Sequence, residues 1–75
     1  MRVSYKKLWM LLIEKDMTKA DLRKKAEIAP STLTKLNKNE YIALSILVKI
    51  CDALDCDFGD IMEIVKKEDN KKENI

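Results

Sequence analysis

Five helix starts can be marked along this 75-residue chain, four by local signals at Ser4, Thr18, Pro30 and Asp57 and one by the apolar stripe that begins near Leu44, and nothing else in the sequence constrains the fold as much. Ser4 can accept from the free backbone N–H groups of a first turn, and Val3 and Leu8 are spaced as a hydrophobic staple across it. At Thr18 the hydroxyl is followed by Asp21 at the third helical position, a capping box, with Met17 and Leu22 as the staple pair. Pro30 suits a first helical position because its fixed φ is helical and its missing N–H has no partner there. The one Gly is Gly59 and the one Pro is Pro30, and no segment alternates with period two. The expected fold is therefore all-α, with five helices.

The expected helices run from about Tyr5 to Lys15, Lys19 to Ala26, Pro30 to Asn37 and Leu44 to Leu54, with a fifth capped by Asp57 and carrying Asp60, Ile61, Met62, Ile64 and Val65. In the first, Tyr5, Leu8, Trp9, Leu12 and Ile13 recur as one apolar face. Leu22 and Ala26 face inward from the second, Leu33 and Leu36 from the third, and Leu47, Ile50, Cys51 and Leu54 from the fourth. Ile46, Val48 and Met62 fall off these stripes. The polar stretch from Lys66 to Ile75 is expected to fray, which gives one domain over residues 1–66 and a tail over 67–75.

Composition removes most function classes. With 47% hydrophobic and 37% charged residues the chain has the balance of a soluble globular domain. Its longest apolar run, Leu8 to Ile13, is six residues, where a membrane span needs roughly 20. The N-terminus carries no signal-peptide pattern, so the expected location is cytoplasmic. There is no His and there are only two Cys, Cys51 and Cys56, too few for a structural zinc site. These are read as free thiols packing like small hydrophobes. Without His, a Gly-rich loop or an activated nucleophile, the chain is not expected to be an enzyme or to hold a cofactor. Asp57 and Asp60 are read as cap groups rather than a catalytic pair.

Charge is unevenly spread. Residues 1–42 hold ten Lys+Arg against five Asp+Glu, whereas residues 43–75 hold five against eight. A basic half joined to an acidic one is the footprint of a face that meets a polyanion.

The stretch from Met17 to Glu40, MTKADLRKKAEIAPSTLTKLNKNE, resembles the helix-turn-helix of the Cro and phage-repressor (XRE) family. It is similar in particular to that family's small single-domain bacterial transcriptional regulators, through Leu8-Trp9 and through Ile50-Cys51-Asp52-Ala53-Leu54-Asp55-Cys56, followed by Asp60-Ile61-Met62-Glu63. The resemblance implies a five-helix lambda-repressor-like domain whose second helix braces the DNA backbone while the third enters the major groove. It implies base reading by Pro30, Ser31, Thr34 and Lys35, and phosphate contacts from Lys19, Lys38 and Asn39. The partner it implies is double-stranded DNA, bound by a homodimer; the short apolar runs leave no membrane partner to expect, and five short helices leave no room for a small-molecule ligand. Four positions depart from the family pattern: Glu27 stands at the usual Gly of the turn, Arg23 at the usual small residue of the second helix, and Ala29 and Ala43 at the usual hydroxyl caps. Glu27 also brings a negative charge close to the DNA-facing turn, from which weak or narrowly specific binding is expected. The alternative is a protein-interaction module on the same fold (an antirepressor, an antitoxin-like partner or a mobile-element accessory protein), with the surplus apolar residues as its contact.

Overall fold

A computed structural model describes residues 2–66 and orders them as β1 (Arg2–Ser4), α1 (Lys6–Glu14), α2 (Lys19–Ala26), α3 (Pro30–Asn37), α4 (Leu44–Leu54), a single 3-10 turn (Phe58–Asp60) and β2 (Glu63–Val65). The bounds of α2, α3 and α4 are those the sequence predicts. The expected tail lies, apart from Lys66, outside the described residues. Among the described residues no helix is long and apolar enough to cross a membrane.

The fifth helix does not form, so the described residues hold four α-helices and a small sheet. Asp57 and Asp60 do make the expected capping box: the Asp57 N–H donates to Asp60 Oδ2 at 3.0 Å, and Asp57 Oδ1 accepts from the Phe58 N–H at 2.8 Å. The box closes one 3-10 turn only. Beyond it, Ile64 and Val65 are β-branched and favour an extended backbone. Their partner is the N-terminus, with Arg2, Val3 and Ser4 paired antiparallel to Val65, Ile64 and Glu63. The start of the chain is thus a strand rather than a helix cap. Tyr5 occupies the N-cap of α1 without a side-chain bond, and Ser4 Oγ accepts a long 3.3 Å bond from the Lys6 N–H.

The core draws on β1, all four helices and the segments between them: Val3, Tyr5, Leu8 and Leu12, then Leu22, Ala26 and Ile28, then Leu36, and finally Leu47, Ile50, Leu54 and Ile61. Ile13, expected on the inner face of α1, is 74% exposed. The buried stripe is centred on Leu8 and Leu12, and a residue one position beyond Leu12 lies about 100° round the helix from it. Trp9 and Leu33 are half-buried at the margin of the core, and so are Ile46 and Met62, while Val48 is exposed. Cys51 and Cys56 are free and half-buried. Burial, and then the neighbouring Cys56, push the Cys51 thiol up to about 11.

All four helices end alike. Asp16, Glu27, Asn39 and Asp55 follow them with φ of 54–58°. At each end the positive-φ residue donates to the carbonyl three back, and the next N–H donates to the carbonyl five back: Met17 to Leu12 at 2.9 Å, Ile28 to Arg23 at 3.1 Å, Glu40 to Lys35 at 3.0 Å and Cys56 to Cys51 at 3.0 Å. These are Schellman motifs in which the left-handed position, ordinarily glycine, is held by Asp, Glu or Asn. The glycine of the chain is elsewhere, at Gly59, where φ is not positive.

Candidate nucleic-acid interface

The segment that resembles a helix-turn-helix is built from α2, a three-residue turn and α3. The α2 helix begins as predicted: Thr18 Oγ1 accepts from the Asp21 N–H at 3.0 Å, and Asp21 Oδ2 accepts from the Thr18 N–H at 2.9 Å. Those bonds, the backbone one foremost, hold the Asp21 carboxyl below its ordinary value. The turn is fixed from both sides. Glu27 takes the left-handed conformation at φ 56° and ψ 48°, Ile28 is buried, and the Lys49 ammonium of α4 donates to the Glu27 carbonyl at 3.3 Å.

After the turn, Ala29 is extended and Pro30 is the first residue of α3, with no side-chain cap. Only Leu36 of α3 is fully buried, with Thr32 and Leu33 half-buried, so α3 rests on the core along one narrow stripe. Pro30, Ser31, Thr34 and Lys35 are all exposed. The Thr34 hydroxyl donates back to the Pro30 carbonyl at 3.2 Å, which leaves its oxygen available as an acceptor.

The three expected phosphate residues are also exposed, and each has a definite setting. Lys19, the first residue of α2, donates to Asn37 Oδ1 at 2.6 Å, and its ammonium lies 4.3 Å from the centre of the Trp9 ring. Lys38 follows α3 directly. Asn39 has a second task, since its Oδ1 accepts from the Tyr5 N–H at 3.0 Å. The buried Tyr5 hydroxyl in turn donates to the Glu40 carbonyl at 2.8 Å, and burial raises its pKa. These two bonds clasp the start of α1 to the loop after α3. The sequence reading missed Asn37 and the Trp9–Lys19 contact, because residues 18 and 10 positions apart carry no local signal. It also gave no weight to Tyr41 and Leu44, which are 78% and 63% exposed, as is Val48 at 50%.

The arrangement is a polar, uncapped helix with two lysines at its C-terminal end, a surface able to donate and accept along the edges of bases and to meet phosphates at its rim. Residues 7–67 match the Cro/C1-type HTH DNA-binding domain family. Among solved structures the chain is similar to that of the transcriptional regulator VanUg in its crystal form II, with 52% identity, 88% of each chain covered and a TM-score of 0.85. No curated protein matches it. Matched over most of its length and folded around the same motif, the chain belongs to the Cro/C1-type helix-turn-helix DNA-binding family.

Proposed function

We propose that the protein is a sequence-specific regulator of transcription that lays α3 in the major groove of double-stranded DNA and acts as a homodimer on a two-fold site. The observation that carries this reading is the exposed row Pro30, Ser31, Thr34 and Lys35, with Lys19 and Lys38 at the C-terminal end of α3. Lys35 can donate to guanine O6 or N7, Ser31 can donate or accept, Thr34 can accept, and Pro30 can offer apolar contact to a thymine methyl. Lys19, Lys38 and the Asn39 amide would meet phosphates and fix the register of α3. A fold of this kind reads two half-sites about one helical turn apart when two copies bind together.

Replacing each lysine by Ala tests the division of labour. Lys19→Ala and Lys38→Ala are expected to weaken binding to every duplex and to reduce the salt slope by about one unit each. Lys35→Ala is expected to relax base preference at one position of the site and to cost roughly 1–3 kcal/mol on the preferred sequence. Titrations at several salt concentrations separate the two behaviours, and three variants that bind like the parent would refute the reading. The exposed Tyr41, Leu44 and Val48 also favour a second reading, a module whose main contact is another protein. That reading predicts a monomer that binds no duplex at any salt concentration.

A further inference from the structure

Resting on the DNA-binding reading above, we propose that Trp9 and Asn37 are positioning residues that hold the Lys19 ammonium in place for a DNA phosphate. The three side chains come from three helices: Trp9 from α1, Lys19 from the first turn of α2, and Asn37 from the last residue of α3. The ammonium sits 4.3 Å from the indole centre and 2.6 Å from Asn37 Oδ1. An indole face attracts a cation through its quadrupole without consuming an N–H donor. Asn37 takes one of the three N–H donors of the lysine, and the others remain for a phosphate oxygen.

Two consequences follow for binding. A free lysine loses most of its rotamer freedom when it settles on a phosphate, and that entropy opposes association. Here the loss is met on folding, so the contact is made at less cost when DNA arrives. The tether also joins the start of α2 to the end of α3, where a cation is favoured by the helix dipole. Lys38 is the next residue along, so the two lysines expected on phosphate are brought to one end of α3. Trp9 and Asn37 thus set the position of a backbone contact without touching DNA themselves.

The test combines spectroscopy with a double-mutant cycle on the full chain. Trp9 is the single tryptophan, so its emission reports the contact directly. In the free protein Lys19→Met is expected to change that emission, and an unchanged spectrum would overturn the proposal. On one fixed duplex, Asn37→Ala and Trp9→Leu are each expected to weaken binding by about two- to fivefold. Trp9→Phe, which keeps an aromatic face, should retain most of the affinity. In a Lys19→Ala background, Asn37→Ala should have no further effect. Asn37 is exposed, so its variant keeps the fold even if Trp9→Leu does not. If Asn37→Ala costs the same in both backgrounds, has no effect in the parent, or strengthens binding by releasing the lysine, the positioning role is wrong while DNA binding stands. A parent chain with no salt-dependent duplex binding would remove both.

Discussion

Glu27 shows how a single residue can carry a structural cost and a functional one together. At φ 56° its Cβ crowds the backbone, which costs an L-residue about 1–2 kcal/mol. Glycine removes that strain but adds roughly 0.5–1 kcal/mol of unfolded-state entropy. Glu27→Gly is therefore expected to stabilise the fold by about 0.5–1 kcal/mol, seen as a rise of a few degrees in Tm. It also takes a carboxylate off the turn next to α3, so binding to any duplex at low salt should tighten. Asn39→Gly is the control: φ there is 58°, but its side chain bonds the Tyr5 N–H, so the substitution loses that bond and should give no gain. Thermal unfolding of the two variants side by side checks the argument. Equal behaviour would mean that backbone strain alone governs both positions.

At the scale of elements, what could be read in the sequence was what local chemistry decides. The capping box at Thr18 and Asp21 and the proline of α3 lie within a few residues of the turns they start, and those helices have the predicted bounds. The box at Asp57 and Asp60 was equally legible, yet it says where a turn begins and nothing about how long a helix continues. Continuation was decided by the pairing of Val3 with Ile64, some sixty positions apart, which no periodicity reveals. The same holds at the interface. The exposed row on α3 follows from helical spacing, whereas the meeting of Lys19 with Trp9 and Asn37 follows from how three helices pack. The Asp21 carboxyl gives α2 a pH dependence with a definite sign. Its folded pKa is depressed, so its stabilisation is present above the unfolded value of about 3.9 and is lost as pH falls through the folded value. Amide exchange in the first turn of α2 is expected to accelerate in that acid range ahead of α4, whose N-cap is Ala43 and has no carboxylate to lose. Asp21→Asn should flatten the effect.

For the whole molecule, the division of charge and the apolar patch set the conditions of binding. The ten basic residues of positions 1–42 include every lysine proposed to face DNA, while the excess of acids lies in positions 43–75. The attraction of those basic side chains for a polyanion weakens as salt is added. Tyr41, Leu44 and Val48 are exposed apolar residues that follow α3 in the chain, and three side chains fall well short of the roughly 800 Å² per partner of a standard interface. Two copies are thus expected to be monomeric at micromolar concentration in free solution and to pair on DNA. Leu44→Asp and Val48→Asp should leave binding to a half-site unchanged and abolish its cooperativity on a full site, as read by sedimentation and by titration of the two duplexes. The most direct measurement is selection from a pool of random duplexes at about 50 and 200 mM salt, followed by sequencing of the retained DNA. The account predicts one enriched motif with two related half-sites about one helical turn apart, retained more weakly at the higher salt. Retention of no duplex at either salt would contradict it.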